Sequence, residues 1–283
     1  MIPAAFEYTA PETLEEAIAA LGRDADAKLL AGGHSLLPLM KLRLAVPSLL
    51  VDLRRVPGLR GIEREDGTWR IGAMTRHADL EARPETGLLA AAARTIADQQ
   101  VRNRGTTVGS LVHGDPASDM PAVILAAGGT LTVQGPDGTR EIAAEELFRD
   151  YLTTTVGPNE VATEVRVPAL DGYGHGYEKF NRRSEDWAMV AVSALVRRGD
   201  DGTCEDVRIG LTNMGSTPRR ATAAEDALRG QPLDDEHIAQ AAEQAAEGTD
   251  PPGDLNATPE YKRHLARVLC RRALSQAAGL EPS

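Results

Sequence analysis

The chain has 283 residues, 42% of them hydrophobic but only 4% aromatic, so its length predicts two domains with cores built mainly from Ala, Leu, Val and Ile. A formal net charge of −11 argues against a non-specific nucleic-acid surface, which needs clustered Lys and Arg to neutralise phosphates. No apolar run approaches the roughly 20 residues that span a bilayer, and no charged-then-apolar leader follows Met1-Ile2-Pro3, so a cytoplasmic protein is predicted.

The chain opens as an α/β unit. Thr13 and Glu16 have capping-box spacing, and Leu14, Ala17, Ile18 and Leu21 share one helical face before Gly22. Lys28-Leu29-Leu30-Ala31 reads as a short buried strand broken by Gly32-Gly33, and Leu49-Leu50-Val51-Asp52-Leu53 as a second. Pro57-Gly58 marks a subdomain junction. A strand is predicted over 69–74, with Thr75 capping the helix that follows, and Leu88, Leu89, Ala92 and Ile96 form an apolar helical stripe. Residues 100–119 are rich in Gly, Thr, Asp and His without periodicity and read as a long loop, either functional or disordered. A short helix over 122–127, a strand over 131–133, a turn at Pro136-Asp137-Gly138 and an alternating strand over 161–167 complete this part.

Gly172, Gly174 and Gly176 suggest a second boundary. Beyond it, 177–180, 189–196 and 207–211 read as three antiparallel strands, and 222–228, 238–246 and 261–278 as helices, with a loop over 248–259. Strands followed by helices give an α+β class. Cys204 and Cys270 are the only cysteines and are expected to be free, buried thiols; two cannot supply the four ligands of an iron–sulfur cluster.

Two stretches carry the chemistry. The first is Leu29-Leu30-Ala31-Gly32-Gly33-His34-Ser35, a strand ending in paired glycines, where successive N–H groups can form an anion nest or simply a tight turn. It matches neither the dinucleotide fingerprint nor the P-loop. The second is Gln100-Val101-Arg102-Asn103-Arg104-Gly105-Thr106-Thr107-Val108-Gly109-Ser110, followed by His113-Gly114-Asp115-Pro116-Ala117-Ser118-Asp119-Met120-Pro121. It offers backbone and hydroxyl donors to a phosphate or ribityl chain, or is a surface loop of solvated charges. Two anion-friendly loops together suit a diphosphate-bridged cofactor. His113, Asp115 and Asp119 fit no metal-ligand spacing, so no metal is expected. No Ser–His–Asp or Cys–His constellation stands out, and no catalytic residue is assigned.

The segments Ala31-Gly32-Gly33-His34-Ser35-Leu36-Leu37-Pro38, Gln100-Val101-Arg102-Asn103-Arg104-Gly105-Thr106 and Pro116-x-x-Asp119-x-Pro121 resemble the medium, FAD-binding subunits of the molybdenum hydroxylase and carbon monoxide dehydrogenase family. Tyr177-Glu178-Lys179-Phe180, Asp186-Trp187-Ala188 and Leu211-Thr212-Asn213 extend the likeness over nearly the whole chain. The resemblance implies a bipartite, PCMH-type FAD-binding domain over 1–171, with subdomains of about 1–57 and 58–171, and a smaller α/β cap over 172–283. It implies non-covalent FAD held by Leu29, Leu30, Ala31, Gly32, Gly33, His34, Ser35 and Leu36 on one side. Thr106, Thr107, Val108, Gly109 and Ser110 would hold the other, Asp119 would bind from behind, Val161 or Ala162 would lie near the flavin, and Lys179 would reach in from the cap. Ile96 is a weaker apolar candidate, and Arg102 and Arg104 are either solvated or at an interface. Implied partners are a small subunit with [2Fe–2S] clusters and a large molybdenum-cofactor subunit, in a dimer of heterotrimers. The chain would carry electrons from the clusters to an external acceptor such as quinone, NAD or oxygen. A self-contained flavoenzyme on the same scaffold and a flavin-less assembly subunit are the competing expectations. One departure stands out: the family reads Thr-Ile-Gly-Gly where this chain has Thr106-Thr107-Val108-Gly109, so a positive φ at Val108 would be strained.

Overall fold

The computed structural model describes residues 1–280, so the last three residues of the expected C-terminal unit, 281–283, lie outside the described residues. The first elements are β1 (Glu7–Thr9), α1 (Leu14–Leu21), β2 (Lys28–Leu30), α2 (Leu36–Lys41) and β3 (Leu49–Asp52). The strands form a parallel sheet in the order β1-β3-β2, with α1 and α2 as crossovers. Thr13 caps α1 as its spacing predicts, accepting the Glu16 N–H at 3.2 Å, while Glu16 accepts the N–H of Glu12 at 2.9 Å. The sequence reading has no helix over 36–41, where Pro38 stands. In the first turn, however, a proline forfeits only an N–H that has no intrahelical partner.

The next unit contains β4 (Ile62–Glu65), β5 (Thr68–Gly72), α3 (His77–Glu81), α4 (Leu88–Ala93), α5 (Gln99–Arg102), α6 (Thr107–His113) and α7 (Asp119–Ala127). It continues through β6 (Thr130–Gly135), β7 (Gly138–Ala143), α8 (Ala144–Leu147), β8 (Phe148–Asp150), β9 (Thr153–Thr154) and β10 (Val161–Pro168). Five of its strands form an antiparallel sheet in the order β4-β5-β10-β6-β7, so the last strand in sequence returns to the middle. β8 and β9 pair separately.

Three expectations need correction here. Residues 100–119 are not a structureless loop: α5 and α6, of four and seven residues, occupy much of it and are too short to display a helical period. Val108 is the second residue of α6, is 2% exposed and is not among the positive-φ residues, so the expected strain does not arise. Thr75 does not cap α3. Its hydroxyl donates to Gly61 O at 2.9 Å, and the cap residue is Arg76, whose N–H reaches Asp79 Oδ2 at 3.1 Å.

The last unit has β11 (Tyr173–Phe180), β12 (Val190–Arg198), β13 (Cys204–Thr212), β14 (Arg219–Arg220), α9 (Thr222–Leu228), α10 (Asp235–Glu243) and α11 (Pro259–Ala277). Its antiparallel sheet has four strands rather than three, the two-residue β14 being too short to register in sequence. Gly174 and Gly176 are not linker residues. They lie inside β11, where a Cβ would collide with the carbonyl oxygens of Ala277 and Ala273, so α11 rests directly on strand backbone. The opposite face of this sheet is not free. Tyr177, Ala191 and Leu195 share one buried cluster with Met120, Val123 and Ile124 of α7, joining the unit to its neighbour. Cys204 and Cys270 are free and buried, and burial pushes their thiols up to about 11 and about 12. Among the described residues no helix is long and apolar enough to cross a membrane.

Candidate functional site

A cleft of about 680 Å³ opens between the parallel sheet, the five-stranded unit and the last sheet. Its floor is where two bends meet. The first runs from the end of β2 through Ala31-Gly32-Gly33-His34-Ser35 into α2, with Gly33 at φ 79° and the N–H of Leu37 returning to Gly33 O at 2.9 Å. The second runs through Asn103-Arg104-Gly105 from α5 to Thr106, whose Oγ1 caps α6 by accepting the Gly109 N–H at 3.2 Å. A Cβ on Gly32 would collide with Arg104 O and stand 2.7 Å from Gly105 Cα, so the bends touch backbone to backbone. Among the described residues, no acceptor takes the backbone N–H groups of Gly33, His34, Ser35 or Leu36. Free donors beside a side-chain-free contact make a cradle that suits an extended anion. The volume lies in the range of small-molecule and cofactor sites, roughly 300–1,000 Å³.

Most residues singled out in the sequence line this cleft. Leu29, Leu30, Ala31, Gly32, Gly33, His34, Ser35 and Leu36 form one side, and Thr106, Val108, Gly109 and Ser110 another. Asp119 enters at the start of α7, Ala162 from β10, Lys179 from β11, and Ile96 from the segment after α4. Two do not reach it. Thr107, the first residue of α6, is fully buried away from the cleft, its N–H directed at Thr75 O at 3.3 Å. Val161 is also fully buried, packed with Val51 and Leu53, so of the pair Val161 and Ala162 only Ala162 meets the cleft.

Lys179 and Asp119 form the most buried ion pair at the site. Lys179 Nζ donates to Asp119 Oδ2 at 3.0 Å and to Thr95 O at 3.0 Å, and the side chains are 4% and 5% exposed. Tyr177 Oη donates to the other carboxylate oxygen at 2.6 Å. Burial raises the Asp119 pKa above the usual carboxylate range despite the pull of Lys179 and Tyr177, and it raises that of Tyr177 well above an ordinary phenol. An ammonium has three donors, and two are used here. Asp119 therefore holds Lys179 against the cleft wall with one N–H uncommitted.

Sequence reasoning missed three contributors: His77 at the start of α3, the 152–160 segment around β9, and Glu185-Asp186-Trp187 between β11 and β12. An isolated antiparallel bridge between Arg76 and Thr106 carries His77 to the second bend, a non-local pairing that leaves no local signature. Trp187, 54% exposed, stands in a segment that the resemblance matched but assigned no role.

The chain is similar along nearly its whole length to known proteins. A family model described as "FAD binding domain in molybdopterin dehydrogenase" matches residues 4–170, and one described as "CO dehydrogenase flavoprotein C-terminal domain" matches 175–277. The carbon monoxide dehydrogenase medium chain of Hydrogenophaga pseudoflava is 44% identical over 283 residues, covering 98% of each chain. The 6-hydroxypseudooxynicotine dehydrogenase complex subunit alpha of Paenarthrobacter nicotinovorans is 39% identical over 284 residues, covering 98% of this chain and 96% of that one. In a solved structure of the Hydrogenophaga pseudoflava carbon monoxide dehydrogenase, which lacks the Mo-pyranopterin moiety of its molybdenum cofactor, one chain superposes with a TM-score of 0.95. The identity there is 45%, and 99% of each chain is covered.

Proposed function

The chain belongs to the FAD-binding family of molybdopterin dehydrogenases, and from that premise we propose that it is the electron-transfer subunit of a molybdenum-containing hydroxylase or dehydrogenase. Electrons would arrive from a [2Fe–2S] partner subunit, fed by a large molybdenum subunit, and leave to an external acceptor. The assembly would be a cytoplasmic dimer of heterotrimers. Residues 1–171 would hold the cofactor and 172–283 would act as its cap. FAD, when bound, supplies the redox chemistry; the chain binds it, orients it and excludes side reactions.

The single observation that carries this reading is the backbone contact of Gly32 with Gly105 beneath a cleft of cofactor size. The bends offer the diphosphate unpaired N–H groups and no side chain in the way. Ser35, Thr106 and Ser110 add hydroxyls, Ala162 and Ile96 give apolar surface for a flavin ring, and the uncommitted N–H of Lys179 puts positive charge where a reduced, anionic flavin benefits.

The test is purification of the chain alone and with its native partners. The isolated chain is expected to be yellow, to release FAD on denaturation, and to show no flavin reduction by aldehydes, purines or N-heterocycles. Material isolated from the native host should carry molybdenum and iron in companion chains. Substrate-dependent flavin reduction by the isolated chain would make it a self-contained flavoenzyme, and a colourless chain that takes up no FAD would make it an assembly subunit.

A further inference from the structure

Within the cleft, His77 stands apart. Its residue is 5% exposed, and its Nδ1 is buried without a hydrogen-bond partner among the described residues. Buried polar atoms left unpaired are few in native proteins and call for an explanation. The ring packs on the second bend: a Cβ built on Gly105 would stand 3.0 Å from Cδ2 and 3.4 Å from Nε2, and the His77 N–H donates to Gly105 O at 3.0 Å. Gly105 is also the residue on which Gly32 rests, so the imidazole sits at the junction of the two bends. His34, in the first bend, is near enough to act on it electrostatically.

Resting on the cofactor reading above, we propose that His77 is a positioning residue for the diphosphate: neutral in the free cleft, it takes one proton from solvent when the doubly anionic diphosphate seats across the two bends, coupling cofactor binding to proton uptake. The charge environment supports this sense. Burial first, then the positive charges of Arg102 and His34, hold the pKa of the imidazole down to about 4 in the free chain. On its own helix stand Asp79, committed to the Arg76 N–H, and Glu81, committed to Arg102 Nε at 2.8 Å. Arg83 and Glu85 after α3 pair with each other at 3.3 Å, Arg104 occupies the second bend, and α4 packs against α3 with leucines and alanines only. With these pairings neither carboxylate of α3 is left to neutralise the imidazole. Two negative charges arriving at the junction favour its charged form.

If the bound-state pKa exceeds the free-state value of about 4, the gain is full below the free-state value and vanishes as pH rises through the bound-state one. Affinity for FAD should therefore increase on acidification from pH 8 to pH 5.5, approaching roughly tenfold per pH unit where the pH lies between the free-state and bound-state values.

The experiment is calorimetric titration of the flavin-free full-length chain at pH 6 in buffers of different ionisation enthalpy, with FAD, ADP-ribose and riboflavin as probes. Expected is fractional proton uptake with FAD and ADP-ribose, none with riboflavin, and its loss in both His77→Gln and His77→Asn while FAD still binds. The wild-type proton count stands on its own if either variant misfolds. Zero uptake in the wild type, uptake that persists in the His77 variants, or uptake lost instead in His34→Gln would overturn the inference. Failure of the wild type to bind either FAD or ADP-ribose at any pH would overturn the cofactor reading of the cleft, and this inference with it.

Discussion

Gly32 is the residue at which the cleft is most sensitive to a single methyl. Its Cβ would meet Arg104 O and come within 2.7 Å of Gly105 Cα, and both are main-chain atoms that cannot rotate away. Gly32→Ala should therefore separate the bends rather than repack a side chain. Overpacking of this kind costs about 1–3 kcal/mol. The expected result is a folded chain with a lowered melting temperature and at least a tenfold weaker FAD affinity, read by fluorescence titration; unchanged affinity would mean that the contact does not shape the cradle. Much of this region was legible in sequence, because a buried strand ending in Gly32-Gly33 announces a bend. Its partner was not. Nothing local distinguishes Thr107, the buried first residue of α6, from Val108, which lines the cleft, since both are buried on a helix too short to reveal its period.

Elements in this fold approach one another through glycine where side chains would hold them apart. The contact of α11 with β11 is the clearest case, with Gly174 and Gly176 opposite the carbonyls of Ala277 and Ala273. A Gly-x-Gly-x-Gly run reads as a linker in sequence, yet alternate glycines on one face of a strand also mark a place where another backbone comes close. Only the distant helix α11 distinguishes the two. Gly176→Ala is expected to push α11 off the sheet, lowering stability by about 1–3 kcal/mol in denaturant unfolding. The same change at Gly172, where nothing stands within 4 Å of a Cβ, should cost only the strain of its φ of 83°. Equal losses at both positions would argue against the close-approach account. Long elements with a clear period, such as α11 and β10, were readable from sequence; β1, β14 and α5 were not, because two to four residues cannot establish a period.

At the scale of the molecule, the last unit is held over the cleft by a shared apolar cluster and by one buried polar clasp, Lys179 and Tyr177 on β11 with Asp119 on α7. Removing one partner of such a pair leaves an uncompensated buried charge, at a cost of about 3–5 kcal/mol. Lys179→Met should therefore destabilise the chain, and the deficit should depend on pH. Burial already raises the Asp119 pKa, and losing the ammonium at 3.0 Å raises it further. A carboxyl whose folded pKa lies above its unfolded value favours the folded state at low pH and loses that advantage as pH rises through the folded value. The gap between wild type and Lys179→Met should thus be widest well above the variant's raised Asp119 pKa and narrow as pH falls through it, where Asp119 takes up a proton and keeps its hydrogen bond with Tyr177. Denaturant unfolding across that range measures it, and the double variant Lys179→Met, Asp119→Asn should flatten the profile. A gap that stays constant with pH would mean that water reaches Asp119 once the lysine is gone, and that the cap does not seal this side of the cleft.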